Sequence, residues 1–483
     1  MQGEFHTVIL LGLHYALTAV VIWRVLLRDS MAPVVRLAWV MLVGLLPVAG
    51  VLGYLLFGEV RVSRTDRRRI RDVDRQLRSV VLPEGEVAGP LPDSLPPELH
   101  SAFAMGHATS GMSPLEGNRA TMLAEDDSAI DDMLREIAGA RETVHVLFYI
   151  WLPDTSGTRM AEALIEAAGR GVTCRVQVDD VGSRRLIRSA LWSRMRAAGV
   201  RLAVVLPVGN PLIETLYRRL DLRNHRKIVV VDNRVTWAGS RNCADAAFAI
   251  KPKYAPWVDV LMRVEGPLVR QFQAVFLRDW MLNGAEDLGW MLASEPPALA
   301  GGFIGQVVAS GPDQTASGMS ETLCAMIYAA QRRLMITTPY FLPDPALLGA
   351  ICAAARRGVD TTLILPECND SRIVAAASEG LYHSLLRSGV RLHLFRPGLL
   401  HAKILTVDGR LAMIGSANLD RRSFDLNYEC NLLLYSDTVT AELDLRQASY
   451  LDRARPMTLR EVQSWSRLRR IRNNAVALAG PLL

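Results

Sequence analysis

His225 and His401 each head a stretch with the same polar residues at the same intervals. HRKIVVVDNRVTWAGSRN (225–242) and HAKILTVDGRLAMIGSAN (401–418) both fit HxKxxxxDxxxxxxGSxN. The apolar runs IVVV and ILTV between each Lys and its Asp read as buried strands. Alternation along such a strand turns His225 and Lys227 to one face, and His401 and Lys403 likewise. An ammonium beside an imidazole repels a metal cation, and no Cys or carboxylate completes a ligand set, so the pair is a poor metal site. The same pair suits a phosphate group.

The elements that must position these residues are duplicated too. AEALIEAAGRGVTCRVQVDD (161–180) parallels LLGAICAAARRGVDTTLILPE (347–367), each reading as an amphipathic helix, an Arg-Gly-Val turn and a strand. GVRLAVVLP (199–207) parallels GVRLHLFRP (389–397), and VHVLFYIWLPD (144–154) parallels LMITTPYFLPD (334–344). Strands are expected at 144–151, 173–178, 201–206 and 227–231 with helices between, and in the same order in the second copy, which argues for a mixed α/β sheet in each half. Repeats this long are too large for a solenoid. Two fused halves related by a pseudo-two-fold would bring both HxK strands to one shared site.

With both motifs in register, the chain resembles the phospholipase D superfamily, and in its details the bacterial cardiolipin synthase branch. WVMLVGLLPVAGVLGYLLFGE (39–59), YAPWVDVLMRVEGPLV (254–269), ITTPYFLPD (336–344), LDRRSFDLNYE (419–429) and the terminal PLL carry the likeness across nearly the whole chain. The resemblance implies phosphodiester chemistry through a covalent phosphohistidine, with His225 as nucleophile and His401 as general acid and then general base. One ring must then be neutral while the other is protonated, which different neighbours could arrange. It further implies that Lys227, Lys403, Asn242 and Asn418 hold the non-bridging phosphoryl oxygens, with Ser240 and Ser416 as supporting donors. Asp259 and Glu429, which follow the first and the second GSxN, are the implied imidazole-orienting carboxylates. Asp232 and Asp408 complete the catalytic motifs and fit as anchors at the strand ends. Neither a cofactor nor a metal is expected.

Other residues carry a plainer alternative. His145, His383 and His393 read as ordinary satisfied histidines. Gly239 and Gly415 fit tight turns, and Asp179, Asp180 and Ser183 a turn after a strand. Tyr340 suits either core packing or the wall of the site. Arg421 and Arg422 suit either phosphate or the surface.

The 483 residues allow about three domains. The expected division is a membrane anchor (1–60), a basic segment with a Pro-rich linker (61–117), and two phospholipase D-like α/β halves (118–298 and 299–483). Six cysteines without a CxxC read as reduced thiols. Stretches 7–23 and 37–57 carry no formal charge and are expected to be two transmembrane helices, the second kinked by Pro47. MQGEFH lacks Lys and Arg, which disfavours a cleaved signal peptide. RVSRTDRRRIRDVDRQLR (61–78) follows directly, and the positive-inside rule puts the body in the cytoplasm of a bacterial cell, beneath its inner membrane. That run is either a solvated helix face or a contact for anionic lipid. LPEGEVAGPLPDSLPP opens a segment, 82–117, expected to be an extended linker.

A net charge of +6 and a pI near 9.1 suit nucleic acid or an anionic membrane. The densest basic run follows the apolar stretches, and no interleaved aromatic and basic segment suggests base stacking, so no nucleic-acid partner is expected. The expected substrates and partners are phosphatidylglycerol and anionic membrane lipids, with cardiolipin and glycerol as products. The alternatives are hydrolysis of phospholipids, transfer to another alcohol such as ethanolamine, and a membrane-tethered nucleic-acid phosphodiesterase.

Overall fold

The computed structural model describes residues 2–28, 31, 33–59, 64–81, 91–209, 219, 221–248, 250–284, 286–315 and 317–478. Two units emerge, one of residues 1–67 with 208–222 and one of residues 68–207 with 223–481.

The first unit contains the helices Gln2–Leu26, Pro33–Leu45 and Pro47–Phe57. Val21, Val25, Trp39, Val43, Val51 and Tyr54 form a small core, with the Trp39 and Tyr54 rings edge to face at 5.4 Å. Arg24 and Arg28 close on the buried Glu59 carboxylate, which also accepts from the Tyr54 hydroxyl at 2.6 Å. The apolar stretch 37–57 does not form one rod. It breaks at Leu46, because Pro47 offers no N–H and takes the N-terminal position of a new helix. Among the described residues no helix is long and apolar enough to cross a membrane.

The second unit is built on one 16-stranded sheet rather than the separate sheet expected for each half. The N-terminal copy supplies β1 (Leu115–Met122), β2 (Thr143–Phe148), β3 (Thr173–Asp179), β4 (Arg201–Val205), β5 (Arg223–Asn224), β6 (Lys227–Val231), β7 (Val235–Gly239), β8 (Trp257–Val258) and β9 (Leu261–Glu265). The C-terminal copy supplies β10 (Phe303–Ser310), β11 (Arg333–Thr337), β12 (Phe341–Leu342), β13 (Asp360–Pro366), β14 (Arg391–Phe395), β15 (Leu399–Leu400), β16 (Ile404–Val407), β17 (Leu411–Gly415), β18 (Leu419–Asp420), β19 (Asn427–Tyr435) and β20 (Ala454–Met457).

The strand order β20-β14-β13-β11-β16-β17-β19-β10-β1-β9-β7-β6-β2-β3-β4 reads almost the same from either end. Apart from β20, each copy contributes one arm, and the arms join where β10 pairs antiparallel with β1. Within each arm three strands run parallel (β2, β3, β4; β11, β13, β14), joined by helices as right-handed crossovers demand. The motif hairpins β6–β7 and β16–β17 are antiparallel and lie toward the middle. Every residue of those four strands is buried, which explains their continuous β-branched and aliphatic runs.

Two expectations about the segments ahead of the first copy need revision. The helix Arg64–Val81 is more than a solvated basic rod, since Val73 and Leu77 enter the same core as Phe272, Val275 and Phe276 of the helix Leu268–Asn283. Asp74 pairs with Arg278 beside them at 2.6 Å, while Arg68, Arg71 and Arg75 stay on the exposed face. The segment from 91 to 117 is not an extended linker. Leu95, Leu99, Ala102 and Phe103 are buried at helical spacing against Ile304, Val308 and the helix Gly318–Ala329, so apolar burial overrides the Pro-rich composition there. The remainder of that expected linker, 82–90, lies outside the described residues. Of the six cysteines, all free, four are buried and Cys368 is exposed.

Candidate active site

Each motif histidine sits at the mouth of its own hairpin, and its main chain is held by the other copy. β5, just before His225, pairs in parallel with the start of β19, and the His225 N–H donates to the Tyr428 carbonyl at 2.9 Å. β15, just before His401, pairs in parallel with β8, and the His401 N–H donates to the Val258 carbonyl at 2.7 Å. The two half-sites therefore meet.

The side chains cross between copies in the same way. His225 Nδ1 lies 2.9 Å from Glu429 of the second copy, and His401 Nδ1 lies 2.6 Å from Asp259 of the first. An ionised carboxylate only accepts, so each Nδ1 carries the proton and each Nε2 is left with its lone pair. Ser240 donates to Asp259 at 2.6 Å and Ser416 donates to Glu429 at 2.5 Å. Each hydroxyl has one proton and spends it there. Ser240 and Ser416 are thus supports of the carboxylates, which corrects their expected role as phosphate donors. Gly239 and Gly415 are set by close approach rather than by a turn: a Cβ at either would collide with the neighbouring strand, at the Val260 carbonyl or at Asn431 and the Cys430 carbonyl.

Lys227 and Lys403 fold back so that each ammonium donates to the carbonyl of its own motif histidine, at 2.7 Å for Lys403. Both lysines are buried, and burial brings their pKa values down to about 7 for Lys227 and about 8 for Lys403, each also feeling the other's half-site. Burial likewise pushes both imidazoles down to about 4; the facing carboxylates pull upward and the lysines push further down. The neighbours therefore do not separate the two rings. Burial works to raise the Asp259 and Glu429 carboxyls, but the facing imidazoles and lysines hold both below their ordinary range. In the protein alone the site is two neutral imidazoles between two carboxylates and two lysines whose positive charge burial weakens.

Asn242 Oδ1 accepts from the Ile150 N–H, while its Nδ2 has no partner among the described residues. Asn418 Nδ2 meets the Ser423 hydroxyl at 3.1 Å and its Oδ1 has no partner among the described residues. Because a hydroxyl both gives and accepts, a half-turn of the Asn418 amide would keep that bond and leave an N–H₂ group unpartnered, as in Asn242. Among the described residues these amides are donors left over in the site, as is the Trp257 indole N–H beside His401.

Asp232 and Asp408 stand at the far ends of their strands, which removes them from the chemistry the motif suggested. The Asp232 carboxylate accepts from the main-chain N–H groups of Arg141, Glu142 and Thr143, each at 2.8 Å. Asp408 accepts from those of Gln331, Arg332 and Arg333 in the same manner. Each ties the turn after its motif strand to the loop before the neighbouring strand.

Several contributors have no counterpart in the shared pattern. The residue inside HxK is Arg226 in one copy and Ala402 in the other. Arg226 is fully buried, pairs with Asp279 at 2.6 Å, and its Nε donates to the Glu429 carbonyl at 3.1 Å, so it fixes the main chain that carries the carboxylate. The Tyr149 ring stands edge-on to His225 at 4.9 Å, and the Trp257 ring leans over His401 at 4.6 Å. Asn427, two residues before Glu429 as Trp257 is two before Asp259, donates to that carboxylate at 3.1 Å. The break between HRK and HAK was the available sequence signal. Nothing local marks Tyr149.

The residues with plainer readings also find places. His145 is buried between Gln273 and Arg175. Asp179 accepts from the N–H groups of Val181 and Gly182, which makes the expected turn, and from that of Asn224 beside His225. Half-buried Tyr340 donates to Asp370 at 2.6 Å, and Lys251 pairs with the same carboxylate. Arg421 pairs with Asp425, whereas Arg422 acts electrostatically on Tyr149.

Comparison with known proteins fits this geometry. A family profile described as "Cardiolipin synthase, PLD-like domain" matches residues 133–280 and 323–447, and one described as "Phospholipase_D-nuclease N-terminal" matches residues 16–59. The chain is 34% identical over 475 residues to cardiolipin synthase A of Edwardsiella ictaluri, covering 94% of each. It is 33% identical over 504 residues to that of Pectobacterium carotovorum, covering 100% of each. The crystal structure of phosphatidylserine synthase from Haemophilus influenzae superposes with a TM-score of 0.59 at 15% identity, covering 80% of this chain and all of that one, a likeness of fold.

Proposed function

Because the chain belongs to the cardiolipin synthase family of phospholipase D-like proteins, we propose that it transfers a phosphatidyl group from one phosphatidylglycerol to the terminal hydroxyl of a second, releasing glycerol and forming cardiolipin. The crossed pairs His225–Glu429 and His401–Asp259 carry this reading. The His225 Nε2 lone pair attacks phosphorus while the glycerol oxygen leaves with a proton from His401, giving a phosphatidyl-histidine. His401, now neutral, takes the proton of the acceptor hydroxyl, whose oxygen attacks phosphorus and breaks the P–N bond. Lys227, Lys403 and the Asn242 and Asn418 amides face the phosphoryl oxygens as charge spreads onto them. His401 begins the cycle protonated because the bound phosphodiester brings a negative charge that offsets the burial and, after it, the lysines that otherwise hold the ring neutral.

The N-terminal unit seats in the bilayer. Leu13, Trp23, Leu37, Leu45 and Val48 are each more than half exposed on it, an apolar surface that water would penalise and acyl chains would not. The arginines of 61–78 then favour a cytoplasmic body and a second attraction for anionic lipid.

Purified full-length protein in phosphatidylglycerol vesicles tests the reading. Equal amounts of cardiolipin and glycerol are expected, with product lost in His225→Ala and in His401→Ala. Phosphatidic acid in place of cardiolipin would instead show water as the acceptor, a new headgroup on adding ethanolamine would show another alcohol, and inert lipid with cleaved DNA would refute lipid chemistry altogether.

A further inference from the structure

The second copy continues past the point where the sheet is complete, ending in the helix Arg467–Leu478. One side of that helix is held by the body. Asn473, almost fully buried, donates to Glu379 of the helix Arg372–Arg387 at 2.7 Å, Arg469 pairs with the same carboxylate at 2.9 Å, and the preceding Trp465 ring meets Tyr382. The opposite side is apolar and exposed among the described residues. Leu468, Ile471, Ala475 and Leu478 recur at intervals of three, four and three, so they form one stripe. Leu468 is 79% exposed, Ile471 65% and Leu478 83%.

Charge accompanies the stripe. The helix has four arginines, at 467, 469, 470 and 472, and no acidic residue. Arg467 and Arg470 are exposed on one flank of the stripe, while on the other Arg472 is exposed and, like Arg469, pairs with Glu379. An apolar stripe between cationic flanks matches the boundary of an anionic bilayer, with acyl chains below and phosphates beside. A second copy of the chain fits less well. A 12-residue helix is only about 18 Å long, and one such stripe falls well short of the roughly 800 Å² per partner that a stable dimer needs.

The placement ties the stripe to the chemistry. The helix beneath it, Arg372–Arg387, is capped by Ser371, next to Asp370, the carboxylate that receives Tyr340 and Lys251 and acts electrostatically on Lys403, and its Ile373 is 53% exposed. We propose that the face of Arg467–Leu478 bearing Leu468, Ile471 and Leu478 is a second bilayer-contacting surface, resting on anionic phospholipid and setting the catalytic site at the height of the lipid phosphates. This inference rests on the reading that the enzyme draws its phospholipids from a bilayer.

Hydrogen exchange on the full-length protein tests it, in vesicles of phosphatidylglycerol, in vesicles of phosphatidylcholine and in detergent. Amides of 468–478 are expected to exchange at least about ten-fold more slowly in phosphatidylglycerol vesicles than in the other two. The double variant Leu468→Ser, Ile471→Ser is expected to lose that protection, to keep its melting temperature because both side chains are exposed, and to raise the KM for phosphatidylglycerol at the vesicle surface with kcat kept. Equal exchange in all three media would overturn the proposal, as would protection that survives the double substitution. Protection that grows with protein concentration in detergent would assign the face to a second copy and also overturn it. Exchange is read without turnover, so a failure of the synthase reading shows separately, as absent product with protection intact.

Discussion

Glu429→Gln is the sharpest probe of the crossed geometry. The Glu429 carboxylate is wholly buried and receives His225 Nδ1 at 2.9 Å, Asn427 Nδ2 at 3.1 Å and the Ser416 hydroxyl. An amide of the same size has one oxygen and one N–H₂ for these donors, so a donor must turn and accept. Ser416 can do so by rotating its hydroxyl. If His225 does so, Nδ1 loses its proton, Nε2 gains it, and the nucleophilic lone pair is gone. Even with the tautomer kept, exchanging a charged acceptor for a neutral one weakens the hydrogen bond to the ring by about 1–2 kcal/mol. It also leaves Lys227 without the carboxylate that most strongly supports its charge. By analogy with a neutralised triad carboxylate, the combined loss is expected at about 10³ to 10⁴ in kcat, equivalent to about 4–5.5 kcal/mol of transition-state stabilisation. Cardiolipin formation in mixed micelles, followed by mass spectrometry, reads the rate. Nitrogen-15 signals of labelled histidine rings read which imidazole has changed. Glu429→Gln should disturb the ring of His225 and spare that of His401, and Asp259→Asn should do the reverse. A rate loss below ten-fold, or a perturbation of the ring in the same copy as the substituted carboxylate, would refute the crossed assignment.

Two further outcomes follow from the same contacts. Asp232→Asn removes charge from an acceptor that holds three main-chain N–H groups, and is expected to lower stability by about 1–3 kcal/mol while the folded fraction keeps its kcat; a thermal melt and a rate on the same sample check both halves. Stability should also fall as pH drops from about 6.5 to 4. The His225 and His401 rings sit at about 4 in the fold against 6.5 ordinarily, so in that window the unfolded chain binds more protons than the native one; double replacement of the two histidines by Gln should flatten the slope of melting temperature against pH.

Much of this protein is legible without coordinates. The two HxKxxxxD stretches with GSxN, the parallel helix-turn-strand segments around them, and the strands 173–178 and 227–231 follow from local periodicity and repetition, and β3 and β6 match the latter two closely. Local signals fail where burial is decided at a distance. The Pro-rich composition of 91–117 hides Leu95, Leu99 and Phe103, which become core only because strand β10 and the helix Gly318–Ala329 come to lie against them. Ser240 and Ser416 read as phosphate donors from their motifs, and only the carboxylate that the fold sets beside each reassigns them.

The sequence by itself determined that two equivalent histidine-lysine units exist and that the chemistry suits phosphate rather than metal, and the family resemblance implied one carboxylate after each. Only the tertiary structure decided which carboxylate serves which ring. The pairs His225–Glu429 and His401–Asp259 span 204 and 142 residues and run between copies, because the two arms of the sheet join at β1 and β10 and thread each copy's short strand against the other. Repetition specifies what each half contains; the docking of one half on the other, a matter of buried sheet edges far apart in the chain, specifies whom each residue meets.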